Sequence, residues 1–194
     1  MYKKFFKRTI DIVLSLASIF VLAAPMLIIA VIVCVDSPGP AIFCQSRAGK
    51  NGKEFSMLKF RTMKISAPNN TPTSQLEHAE QYVTRVGRFL RRSSLDELPQ
   101  LFNILWGHMS FIGPRPALAS QTELLTRRKQ NGAFLLRPGL SGWAQINGRD
   151  LIDDAKKAEL DGEYAARVSF AFDIKCFFGT VKCVLRADGF CDEG

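Results

Sequence analysis

Residues 12–35 carry no charged side chain, and no other feature of the sequence constrains the fold as strongly. An α-helix crosses the hydrocarbon core of a bilayer with about 20 residues, so length alone permits a span. A secretory signal peptide is disfavoured, because the apolar run is too long and no small-x-small cleavage site with an evident mature start follows it. Two features count against a simple span. Pro25 lies near the middle, where it removes a helical hydrogen bond and clashes with the preceding turn, so a kink is expected. Both flanks are also basic, with Lys3, Lys4, Lys7 and Arg8 on one side and Arg47, Lys50, Lys53, Lys59 and Arg61 on the other. The positive-inside rule places both in the cytoplasm. A helix that enters, bends at Pro25 and returns satisfies both flanks, each half of about 12 residues reaching about 18 Å. On these residues alone the span and the re-entrant form both stand.

The remainder reads as one soluble domain, since 194 residues leave little chain for a second core. The formal net charge is +8, with the positive excess before residue 150 and a net acidic stretch over 151–194. Such an excess suits an anionic partner: nucleic acid, lipid head groups or a phosphorylated substrate. The five cysteines lack a Cys-x-x-Cys spacing and are accompanied by only two histidines, which fits a reduced compartment and offers no structural zinc cluster.

Ser37-Pro38-Gly39-Pro40 ends the apolar helix. Two short apolar runs on either side of Asn51-Gly52 predict a hairpin, and residues 66–74 predict a polar loop. Helical patterning follows over 75–91, 95–105, 117–130, 153–166 and 172–185. Along the last of these and just before it, Phe170, Ile174, Phe177, Phe178, Val181 and Leu185 fall largely on one apolar stripe that suits either a core or a membrane interface. The expected class is α+β, mostly α-helical. Residues 1–36 form the basic N-terminus and apolar helix, and 37–194 the remaining domain, the two making one functional unit.

The chemistry-bearing residues gather in three clusters. Ser94-Leu95-Asp96-Glu97 places two adjacent acids after Arg91-Arg92. Its local reading is a capping box, Ser94 with Glu97, in a first helical turn that favours acids. The second cluster, Gly113-Pro114-Arg115-Pro116, presents an arginine between two prolines. The third, from Arg137-Pro138-Gly139 to Gly148-Arg149, combines arginines, glycines and Trp143. Backbone amides and guanidinium forks in such loops can receive a diphosphate. Each arginine could equally pair with a local acid or cap a helix.

Lys59-Phe60-Arg61-Thr62-Met63, Ser94-Leu95-Asp96-Glu97-Leu98-Pro99-Gln100-Leu101, Met109-Ser110-Phe111-Ile112-Gly113-Pro114-Arg115-Pro116 and the stretch 137–149 resemble, in order, the signatures of the bacterial sugar transferases, the monotopic phosphoglycosyl transferases. The likeness covers nearly the whole chain and is closest to minimal, catalytic-domain members. It implies transfer of a phosphosugar from a UDP-sugar to a polyprenyl phosphate, usually undecaprenyl phosphate, with release of UMP and a requirement for Mg²⁺. The reaction would start glycan assembly on the cytoplasmic leaflet of the bacterial inner membrane, with no nucleic acid involved. It further implies the re-entrant helix, and helices packed at the cytoplasmic membrane face.

By position, Asp96 matches the nucleophile that forms a covalent phosphosugar intermediate and Glu97 its partner acid, both beside the metal. Arg149, Arg115, Arg137, Lys59 and Arg61 are the implied phosphate or nucleotide ligands, with Asp161 and Asp173 at matching acidic positions. Two departures stand out: Ala24-Pro25 replaces the usual Ser-Pro at the membrane bend, and His108 replaces a common acid before Met109-Ser110. A non-catalytic, membrane-tethered basic module is the alternative. Its phenylalanines, however, fall in apolar stretches and do not interleave with arginines as a stacking platform requires.

Overall fold

The computed structural model describes residues 2–67, 79–148 and 152–186. It is α+β and mostly helical. A short π-helical turn, Tyr2–Phe6, leads into α1, Lys7–Asp36, whose helical assignment runs on both sides of Pro25. Ala24 and Pro25 are exposed.

Asp11, Ser15, Met26 and Val33 are buried, and Ile19, Leu22 and Ile29 are partly buried between them. These positions recur every three or four residues and form one inward stripe. Phe20, Val21, Leu27 and Val35, off the stripe, are exposed.

The expected hairpin forms, with β1, Ile42–Ala48, antiparallel to β2, Glu54–Phe60, in a register running from Ile42 opposite Phe60 to Ala48 opposite Glu54. Its turn carries Asn51 at φ 57° and Gly52 at φ 74°, a left-handed pair that Asn-Gly tolerates. Phe55 and Met57 point inward and pack with Leu101, Ile104 and Met109, over which Ile19 and Leu22 of α1 close. Phe60 packs with Met26, Val33 and Leu90.

The first three predicted helices are shorter than the sequence patterns suggest, for identifiable reasons. Of the predicted 75–91 helix, 75–78 lies outside the described residues, and Ala79–Gln81 is a 3₁₀ turn. Val83 then pairs with Met63, and α2, Arg85–Arg92, starts only after Thr84, whose hydroxyl accepts from Gly87 N. The predicted 95–105 helix is broken at Pro99, which cannot donate to the Leu95 carbonyl. Leu95–Glu97 is a 3₁₀ turn, and α3, Gln100–Trp106, follows it. In place of an early start to the 117–130 helix, Ala117 bridges to Ala48, and α4 is Thr122–Gln130.

A parallel strand pair that periodicity did not announce joins β3, Ser110–Ile112, to β4, Gly139–Ser141. Gly113 is pressed against the chain at Arg137, where an added Cβ would lie 2.5 Å from that residue's carbonyl oxygen. The second and third sequence clusters therefore meet in space. The short α5, Trp143–Ile146, then α6, Asp154–Arg167, and α7, Phe170–Arg186, complete the fold. On α7, Phe170, Ile174, Phe177, Phe178 and Val181 are exposed while Cys176 is buried, so the apolar stripe faces away from the core.

Candidate active site

The strand's two-residue period puts Lys59 on the same face of β2 as Phe55 and Met57, at the end of the core. The turn Leu95–Glu97 lies over it because α3 is fastened to the β2 edge. Asn103, fully buried, accepts from Leu58 N at 2.9 Å and donates to the Ser56 carbonyl at 2.8 Å. One side chain thereby replaces a neighbouring strand, and Pro99 fixes the entry into α3.

Ser94 enters the turn in the left-handed region, φ 56°, and makes no capping hydrogen bond through its side chain. The capping box read from the sequence does not form. The Glu97 carboxylate turns to Lys59 instead, 2.8 Å from its Nζ, and lies 3.6 Å from Arg115 Nη2.

Asp96 is 7% exposed, with Lys59 Nζ 3.8 Å away. Burial raises its pKa above the ordinary carboxylate value. Glu97 adds to the rise, while Lys59, Arg91 and Arg115 oppose it. Arg91, anchored by its Nε on the Thr62 hydroxyl, contributes a further positive charge on the Asp96 side.

Arg47, which the sequence clusters did not include, reaches the same place from β1. It donates to the Pro116 carbonyl and to Gln45, and its buried Nε has no hydrogen-bond partner among the described residues. Burial, helped by repulsion from Arg115 and opposed by Glu97, pushes the Arg47 guanidinium down to about 10. The signal for it was available: Phe43, Gln45 and Arg47 alternate inward along β1.

Asp96, Glu97, Lys59 and Arg115 thus come together. Arg61, Arg137, Asp161 and Asp173 are engaged elsewhere. Arg61 makes five hydrogen bonds to Ser37 and the carbonyls of the 37–40 turn, clamping the end of α1. Arg137 donates to the Gly107 carbonyl after α3, whose last carbonyls also hold Arg8. Asp173 accepts from Tyr2, Lys7 and Tyr164 and ties the N-terminus to α7. Asp161 is paired with Arg128 in the interior. Arg149 lies outside the described residues.

Two adjacent carboxylates offer hard oxygen donors, and Mg²⁺ takes one or two of these and completes its shell with waters and substrate phosphates. No group of three or more His, Cys, Asp or Glu suited to a metal is gathered among the described residues. Asp96 and Glu97 fit that substrate-assisted mode.

A buried aspartate beside a partly buried glutamate, ringed by cations and carried on an α+β domain that also bears a long apolar helix, is an arrangement suited to anionic ligands. The sequence model described as bacterial sugar transferase matches residues 2–187, and the chain belongs to that family. It is 43% identical to the UDP-glucose:undecaprenyl-phosphate glucose-1-phosphate transferase of Escherichia coli K12, over 90% of this chain and 39% of that protein. It is 36% identical to the undecaprenyl-phosphate galactose phosphotransferase of Salmonella typhimurium, over 96% of this chain and 42% of the relative. The exopolysaccharide production protein PSS of Rhizobium leguminosarum is 39% identical over 95% of this chain and 98% of its own length. The chain therefore spans about two-fifths of the length of the two named transferases.

Proposed function

We propose that this protein is a phosphoglycosyl transferase that moves a hexose 1-phosphate from a UDP-sugar to undecaprenyl phosphate and releases UMP, in two steps through Asp96. The observation that carries the proposal is the buried Asp96 beside Glu97, held among Lys59, Arg91, Arg115 and Arg47. An Asp96 oxygen bonds to the β-phosphorus of the UDP-sugar, and the bond from that phosphorus to the bridging oxygen breaks. UMP leaves with the bridging oxygen. A phosphate oxygen of the lipid then attacks the same phosphorus, freeing Asp96 and yielding the polyprenyl diphosphate sugar.

A carboxylate attacks an anionic diphosphate only where charge is neutralised. Lys59 and Arg115 stand where they can receive the phosphates, and Glu97 holds both cations. Mg²⁺, bound at the acids, would neutralise further charge on the diphosphate. Burial of Asp96 keeps water from the acyl phosphate. The relatives' names carry glucose and galactose, so UDP-glucose and UDP-galactose are the first donors to assay.

The membrane reading belongs with this function. α1 touches the domain from end to end: Arg8 on the carbonyls of Ile104 and Leu105, Asp11 on Ser110 and Phe111, and Ser37 on Arg61. A helix crossing the bilayer would put these contacts on opposite faces of a core about 30 Å thick, yet they belong to one folded unit. This supports a helix that bends at Pro25 and returns to the cytoplasmic leaflet, with the exposed apolar face of α7 lying in the interface.

UMP release from UDP-glucose or UDP-galactose, with Mg²⁺ and undecaprenyl phosphate, tests the activity. Turnover is expected with one of these donors and none with Asp96→Asn. A folded protein that releases no UMP from any UDP-sugar contradicts the proposal and favours a tethered binding module.

A further inference from the structure

The prolines of Gly113-Pro114-Arg115-Pro116 remove two of the segment's four backbone donors, so its carbonyls largely decide how it is held. Four successive ones are gripped from outside. Pro114 O accepts from Gly139 N at 2.8 Å, Arg115 O from Arg128 Nη1 at 2.9 Å, Pro116 O from Arg47 Nη1 at 3.3 Å, and Ala117 O from Ala48 N at 2.9 Å. The grip on Arg115 itself comes from a side chain on α4 that no sequence cluster singled out.

Arg128 is 6% exposed, and its Nε and Nη2 lie 2.8 and 2.6 Å from Asp161 Oδ2 on α6. Asp161, 1% exposed, has its pKa raised by burial, against which Arg128 is the chief opposing influence. The guanidinium thus has one edge locked on a buried carboxylate and one nitrogen left to aim. That nitrogen points at the residue whose own guanidinium faces Glu97.

We propose that Arg128, oriented by Asp161, is a positioning residue that acts on phosphate recognition through the backbone of Arg115. The inference rests on the functional reading above, in which Arg115 receives the diphosphate. It gives the Asp161 position a role: the acid fixes Arg128, and Arg128 fixes Arg115. A buried pair could serve only to join α4 to α6, and that role would act on folding alone. A shift of Arg115 by a fraction of an ångström weakens a charge-assisted contact made to the reacting diphosphate, since small misplacements near reacting groups carry large rate costs.

Removing one partner leaves an uncompensated buried charge, whereas replacing both with apolar residues of similar volume is often tolerated. The test therefore uses Arg128→Met with Asp161→Leu, alone and combined with Arg115→Ala, in detergent-solubilised full-length protein assayed for UMP release from the active UDP-sugar. With Arg115 present, the paired replacement is expected to lower kcat/KM roughly tenfold to a hundredfold, while Tm stays within a few degrees of the wild type. In the Arg115→Ala background it should add little, because a residue acting through Arg115 has nothing left to aim. Equal losses in both backgrounds would overturn the positioning role, as would an unchanged kcat/KM with Arg115 present. If the paired variant does not fold, Arg128→Lys, which keeps the charge beside Asp161, is put through the same cycle with the same two outcomes. Unchanged activity in Arg115→Ala alone would instead overturn the functional reading on which the inference rests.

Discussion

Asp96 combines two demands that oppose each other. It is buried, which favours the protonated acid, and in the nucleophilic role proposed above it must be ionised. Burial and Glu97 raise its pKa while Lys59, Arg91 and Arg115 pull it down, with a net rise. The folded protein therefore binds this proton more readily than the unfolded chain. Stability gains from Asp96 as pH falls through the folded pKa. In the Mg²⁺-free protein Asp96 is therefore expected to titrate above the ordinary aspartate value of about 3.9, which carboxyl ¹³C NMR across a pH series measures. A titration at or below that value would mean the cations outweigh burial. The acid pair was legible in the sequence from adjacency and setting, but its local interpretation as a capping box was not what forms. Ser94 is left-handed and Glu97 faces Lys59. Arg61 shows the opposite limit: a motif arginine whose guanidinium hydrogen bonds go to a turn 21 to 24 residues earlier, a partnership that spacing does not encode.

At the scale of elements, hairpin, α6 and α7 followed from their patterns, because turn chemistry and helical periodicity are local. The 95–105 segment did not, since Pro99 divides it, and the consequence is functional: a 3₁₀ turn that carries Asp96 and a helix that anchors it. Asn103 makes the anchor. It was discoverable as a polar residue among the buried positions of α3, Gln100, Leu101 and Ile104. Asn103→Leu should strand the Leu58 N–H without a partner, at a cost of about 1–3 kcal/mol. For a chain of this size that corresponds to a fall in Tm of roughly 3–10 °C. Activity should fall further than stability, because the turn over Lys59 shifts with α3. Thermal melts paired with UMP release check this, and loss of both in proportion would reduce Asn103 to a packing residue. The β3–β4 pair was illegible because strands of three residues carry no period, and its partners are separated by about 30 residues of chain.

At the scale of the whole molecule, the apolar helix looked from sequence like a span or a hairpin. The observation that supports the proposed re-entrant form is the inward stripe from Asp11 to Val33, packed along its length against the domain. Single thiols introduced at Lys4 and at Leu185 should both resist membrane-impermeant labelling from outside intact cells and react after lysis. Labelling of either from outside would restore the crossing helix. In the re-entrant form proposed above, the acids and the lipid phosphate would meet at one membrane face, which the proposed two-step route through Asp96 requires. That route is tested most directly by intact-protein mass spectrometry after incubation with Mg²⁺ and the active UDP-sugar in the absence of undecaprenyl phosphate. The account predicts an adduct of one hexose phosphate on the wild-type chain, removed when the lipid is added and absent from Asp96→Asn. A wild-type enzyme that turns over with lipid yet never carries the adduct, or an adduct that persists in Asp96→Asn, would contradict it.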